Sequence, residues 1–175
     1  MIESEYLKNL VAKAKKLQKT IVLPEGEDER ILKAAHIIAE EEAANLVILG
    51  DETEIKNYFA QNNWSMNRIS IVAPETSPKL EEYANLLYEL RKAKGMTPED
   101  ARNTARHANY FGTLMVKAGD ADGMLSGANH STADTVRPAL QIIKSAHKDR
   151  GVSAALISVK DGEAYLLSDC AVVID

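Results

Sequence analysis

Thr20–Gly50 reads "TIVLPEGEDERILKAAHIIAEEEAANLVILG". It opens with a short apolar run closed by Pro24, which is the pattern of a buried strand. Ile31, Ala34, Ala35, Ile38 and Ala39 then recur at helical spacing, and Asn45–Gly50 is a second apolar run. Strand, helix, strand predicts two parallel strands joined by a crossover helix. The pattern continues downstream with a helix over "DETEIKNYFAQNN" (51–63) and a strand in "RISIVA" (68–73). Upstream, Tyr6, Leu7, Leu10, Val11, Ala14 and Leu17 make residues 4–18 an amphipathic helix. The fold class is α/β, a parallel sheet flanked by helices. Its expected strands are Ile21–Leu23, Leu46–Leu49, Ile69–Val72 and Met124–Ser126.

Two long helices are expected between the third and fourth strands. Ser77–Pro78 predicts the start of the first, a hydroxyl cap before a first-turn proline, and Gly95 its end. "TPED" (97–100) predicts the start of the second, with acids in its first turn. Beyond Lys148 the texture changes: two apolar runs, in 152–159 and 164–172, flank Asp161–Gly162, a hairpin turn signal. Residues 1–148 are therefore expected to form an α/β domain, and 149–175 a hairpin that begins an incomplete second domain. Two strands cannot stand alone. Either another subunit covers the hairpin, or a C-terminal portion is missing.

The chain has 175 residues, 45% of them hydrophobic and 27% charged, with a net charge of −5. Such a balance provides no basic stripe for nucleic acid or an anionic membrane surface, so neither partner is expected. No apolar run approaches the ~20 residues of a membrane helix. The N-terminus lacks a signal peptide's uninterrupted apolar core, and the single Cys170 cannot form an internal disulfide. A cytoplasmic protein is expected. The four histidines show no metal-ligand spacing, and neither GxGxxG nor a GxxxxGK[ST] loop follows a strand, so no metal or dinucleotide cofactor is expected.

"GDADGMLSGANHSTADTVRPALQIIK" (119–144) carries the richest chemistry. Ser126, Asn129, His130, Ser131 and Thr132 follow a predicted strand, where open α/β sheets bind ligands. Ser131 and Thr132 stand at a helix start, where hydroxyls and backbone N–H groups can face an anion. Arg137 could add a bidentate contact. The alternative is a plain N-cap, Ser131 or Asp134, beside a surface arginine. Pro138 leaves the helix start open: a helix from Ser131 would be interrupted by it, and one beginning near Pro138 would not. Elsewhere the structural readings prevail. Glu25, Glu27, Asp28 and Glu29 read as dipole compensation and Arg30 as an ion-pair partner. Arg91, Lys92 and Lys94 read as helix-end cations, Arg102, Arg106 and His107 as a solvated helix face, and Cys170 as core.

Two stretches, "IVLPEGEDERILKAA" and "ADGMLSGANHSTADTVRPALQIIK", resemble the phosphate acetyl/butyryltransferase family, and the likeness runs from about Thr20 to Cys170. Members are roughly twice this length, with a two-domain α/β architecture like that of isocitrate and isopropylmalate dehydrogenases. The resemblance implies reversible acetyl transfer between acetyl phosphate and coenzyme A in an interdomain cleft, with coenzyme A as a substrate, no separate cofactor and a homodimer. Ser131 and Thr132 then match hydroxyls near the acyl-phosphate site. Arg137 matches an arginine that binds coenzyme A or phosphate, and Arg91 a second one associated with coenzyme A. The family's catalytic serine, arginine and aspartate lie in the other half, and no position here matches them. Alternatives are a non-catalytic module that holds phosphate or coenzyme A, a butyryl-specific relative, and a dehydrogenase on the related fold.

Overall fold

The computed structural model describes residues 4–144 and 155–168. Four strands, β1 (Thr20–Leu23), β2 (Asn45–Leu49), β3 (Ile69–Val72) and β4 (Gly123–Met124), form one sheet in the order β3-β2-β1-β4. Every pairing is parallel, as expected: Val22 lies opposite Val47 on one side and Met124 on the other. The fourth strand is shorter and earlier than predicted, because after Met124 the chain leaves the ladder with one last bond, Leu125 N–H to Val22 C=O.

Alternation along the strands sorts two cores, one on each face of the sheet. Val22, Val47 and Leu49 pack with Tyr83, Leu87, Phe111 and Leu114, while Leu23, Leu46 and Ile48 pack with Leu32, Ile55 and Phe59. The first face is covered by α4 (Leu80–Arg91), α5 (Pro98–Ala105), α6 (Ala108–Ala118) and α7 (Thr132–Ile142). The second is covered by α2 (Glu29–Glu40) and α3 (Glu52–Gln61). The amphipathic helix α1 (Glu5–Leu17) forms as read but buries none of its residues.

Two helix readings need correction. Helix α4 starts at Leu80, three residues after Ser77, whose hydroxyl accepts from Lys79 N–H in a turn that precedes the helix. The expected second long helix is two: α5 keeps its Thr97–Asp100 capping box, but the backbone extends at His107 and α6 starts afresh. The break lets buried Ala101 and Ala105 pack on α4's side of the core while α6 turns along the sheet. Beyond the gap, β5 (Ala155–Lys160) and β6 (Glu163–Ser168) make the predicted antiparallel hairpin, with Asp161 and Gly162 both at positive φ, as a two-residue turn demands. The predicted extensions, 152–154 and 169–172, and Cys170 with them, lie outside the described residues. Leu156, Ile157, Tyr165, Leu166 and Leu167 are exposed.

Where β1 ends, Gly26 passes so close to β2 that its N–H bonds Leu49 C=O at 3.1 Å. A β-carbon there would sit 2.4 Å from that oxygen and 2.8 Å from Ile48 Cγ2. Gly26→Ala should therefore lose roughly 1–3 kcal/mol of stability in urea unfolding. A melting curve that overlays the wild type would contradict this packing.

Candidate functional site

In a parallel sheet the connections after neighbouring strands part where the winding reverses, and the crevice left there takes ligands. Here the reversal falls at β1, which has β2 on one side and β4 on the other. The loop after β1 starts Pro24–Glu25, and the loop after β4 runs from Leu125 to Ser131. One side chain joins them. Glu25 is fully buried, and its Oε2 accepts the N–H groups of Gly127 and Ala128, both at 3.0 Å. Its Oε1 accepts Asn129 N–H at 2.7 Å, His130 N–H at 2.8 Å and His130 Nδ1 at 2.9 Å. Burial alone would raise this carboxyl's pKa. The bonds from Asn129, His130 and Ala128, with the His130 ring, more than offset that and bring it down to about 2.

The small anion that the polar loop was read to hold is thus, for these four N–H groups, the protein's own. Glu25 is not dipole compensation, which falls instead to Asp28: it caps α2 by accepting Arg30 N–H at 2.8 Å. Arg30 is an ion-pair partner, as expected, pairing with Asp28 and also donating to Ala128 C=O at 2.6 Å.

Helix α7 begins at Thr132 and runs through Pro138, so the start near Pro138 is excluded. Ser131 is its N-cap: Oγ accepts Asp134 N–H at 3.2 Å and donates to Asp134 Oδ2 at 2.6 Å. Pro138 has no N–H to offer Asp134 C=O four residues earlier. Buried Asn109 takes that place, its Nδ2 donating to Asp134 C=O at 3.1 Å while its Oδ1 accepts Ser126 Oγ at 3.0 Å. A side chain on α6 thereby repairs α7 and orders the β4 loop at once.

Between α6 and α7 lies a cleft of about 440 Å³, lined by His107, Asn109, Tyr110, His130, Asp134 and Arg137 among others. Arg137 makes no hydrogen bond or ion pair among the described residues. Burial pushes the Tyr110 hydroxyl's pKa up, and the positive charges of Arg137 and Arg91 pull against it, which places both arginines near that ring. Arg91 Nε is buried without a partner among the described residues. Ser131 and Thr132 do not line the cleft; the first is spent on the cap and the second is exposed at the first position of α7. His107, read as part of a solvated helix face, belongs to the cleft because the chain breaks there. A second cleft of about 430 Å³ at the ends of β1–β3 is lined by Glu27, Asp51, Glu75 and Arg106. Its three carboxylates make it poorly suited to a phosphate.

The fold and cleft define an open-sheet α/β protein with an arginine, unpaired among the described residues, on the wall of the cleft between α6 and α7. The chain belongs to the phosphate acetyl/butaryl transferase family, whose match spans residues 5–175. The phosphate acetyltransferase of Helicobacter pylori is 43% identical over 168 residues, covering 96% of this chain and 32% of that protein. That of Acetivibrio thermocellus is 44% identical, covering 96% and 52%. Among solved structures, a phosphotransacetylase from Streptococcus pyogenes superposes with a TM-score of 0.89 at 38% identity, covering all of this chain and 54% of that one. The EutD phosphotransacetylase from Staphylococcus aureus gives 0.83, also at 38% identity, covering 97% and 52%. The chain spans about a third to a half of the length of these relatives.

Glu25 titrates near 4.5 when unfolded and about 2 when folded. The folded state therefore binds fewer protons between those values, so its contribution is full above about 4.5 and is lost as pH falls toward 2. The expected loss is about 3 kcal/mol. Unfolding of wild type and Glu25→Gln across that window checks it, the difference removing the parallel titration of Asp28; equal slopes would refute it.

Proposed function

We propose that this chain carries the substrate-binding cleft of a phosphate acetyltransferase, catalysing reversible acetyl transfer between acetyl phosphate and coenzyme A. One observation carries the reading: in a chain of this family, Arg137, unpaired among the described residues, lines the cleft between α6 and α7 with Arg91 nearby. Both substrates are polyanionic, and guanidinium forks suit phosphate oxygens. Thr132, at the exposed start of α7, can add a hydroxyl and a helix-end N–H; Ser131 contributes by holding that helix end in place. Asp134 on the cleft wall disfavours a second anion beside it, which limits how many phosphates this wall holds. The reaction also needs a base for the thiol and donors for the developing oxyanion.

The same reading makes residues 1–148 the α/β domain and 149–175 the opening of a second one, in a cytoplasmic homodimer whose partner covers the exposed hairpin. Among the described residues, no helix is long and apolar enough to cross a membrane. A second reading is binding of phosphate or coenzyme A without turnover, and butyryl rather than acetyl specificity is the third.

Arg137→Ala should weaken phosphate or coenzyme A binding by about 10- to 100-fold, since each charge-assisted bond contributes roughly 1.5–3 kcal/mol. Arg137→Lys should recover part of it. Calorimetric titration decides, and wild-type affinity in Arg137→Ala would leave the cleft without its anion role. A thioester assay on the chain alone should show turnover at least about a thousand-fold below that of a full-length relative, because groups acting as a unit are lost together. Ordinary saturation kinetics at full rate would instead show the chain self-sufficient.

A further inference from the structure

Arg137 stands immediately before the weakest joint of α7. Pro138 has no N–H for Asp134 C=O and its ring crowds that carbonyl, so a helix left to itself bends there easily. Two consecutive residues of α6 hold the two sides of the joint separately. Before it, Asn109 Nδ2 donates to Asp134 C=O at 3.1 Å. After it, the Tyr110 hydroxyl donates to Gln141 Oε1 at 2.9 Å. Asn109 is in turn tied to the loop after β4. It is 4% exposed, and its Oδ1 accepts Ser126 Oγ at 3.0 Å. Ser126 Oγ also lies 3.4 Å from Thr135 Oγ1, on the α7 residue next to Asp134. The first half of α7 is thereby referenced to the sheet, since Leu125, the residue before Ser126, still bonds Val22 C=O. Both ends of the Asn109 amide have protein partners, although the residue lines the cleft.

We propose that Asn109 and Tyr110 clamp the two halves of α7 across Pro138 and thereby set where the Arg137 guanidinium meets an anion, which makes Asn109 a positioning residue for phosphate binding. This role rests on the anion site proposed above. Arg137 projects from the joint between the clamps, so any change of bend at Pro138 is carried out along its length. A guanidinium grips phosphate through two parallel N–H bonds, and that fork depends on orientation more than a point charge does. The proline removes the helix's own restraint at this turn, and Asn109 supplies one from outside it. The bend of α7, and with it the aim of Arg137, is then set by the loop after β4 and by α6 rather than by the helix alone.

Calorimetric titration of inorganic phosphate into the chain, well below each variant's melting temperature, tests this. Asn109→Ala should weaken phosphate binding by about 5- to 10-fold, the equivalent of one net hydrogen bond. A residue that only stabilises the fold would lower the melting temperature and leave the affinity of the folded chain unchanged, and that result overturns the proposal. Pro138→Ala returns an N–H that can donate to Asp134 C=O. In that background Asn109→Ala should weaken binding by less than about 2-fold. An undiminished loss there would mean that Asn109 meets the anion directly, which also overturns the proposal. Gln141→Met removes the other clamp from a residue that does not line the cleft, and should weaken binding by about 2- to 5-fold. Should Asn109→Ala not fold, this variant decides, and wild-type affinity in it sinks the clamp. Arg137→Ala separates the two readings. If it binds phosphate like the wild type, the anion site falls and the clamp with it; if it binds weakly while Asn109→Ala does not, the clamp alone falls.

Discussion

The arrangement depends on one buried charge. A carboxylate without partners in a protein interior is costly enough to protonate rather than stay ionised. Glu25 stays ionised because the loop after β4 delivers four backbone N–H groups and an imidazole to it. The dependence is mutual. Four successive N–H groups in an irregular loop have no ladder to join, and Glu25 is where they go. Gly127, at φ 116, lets the backbone turn so that consecutive N–H groups converge. The crevice between β1 and β4 is bridged at its base and open only further along, where α6 and α7 form its walls.

A second dependence follows along α7. Its register is set by the Ser131 cap, and its proline defect is covered by Asn109. Asn109 also reaches Ser126, so the β4 loop, α6 and α7 form one hydrogen-bonded unit. Arg137 sits one position before the proline, on a helix whose start and interior are both held from outside. A long cationic side chain is thereby presented to the cleft from a fixed base.

The sheet was legible because its signal is periodic and repeated: apolar runs at Ile21, Leu46 and Ile69 alternate with helical spacing, and only a parallel sheet uses both. Capping chemistry was legible where the cap residue bonds its own helix, as at Thr97, and misleading at Ser77, where a similar hydroxyl–proline pair closes a turn. The break at His107 left no mark, since "TARHANYF" contains neither glycine nor proline. The role of Glu25 was hidden for a different reason. An acid before a helix has a local explanation, and its true partners lie more than a hundred residues away. Of the site residues, Arg137 and the Ser131 cap followed from their local setting. The inclusion of His107 and Asn109 required the three-dimensional packing of α6.

That separation in sequence also has a temporal side. Pairings within β1–β2–β3 join segments about 25 residues apart, whereas β4 meets β1 across about a hundred. Closing the longer loop costs more chain entropy, and the gain is a two-residue strand and a polar bridge rather than an apolar face. Loop-closure entropy thus orders the assembly. The three-stranded unit with α2 and α3 can collapse on its own core, and the β4 loop docks afterwards. By that ordering the cleft wall takes shape last, and a chain arrested early would hold most of its sheet and none of its cleft.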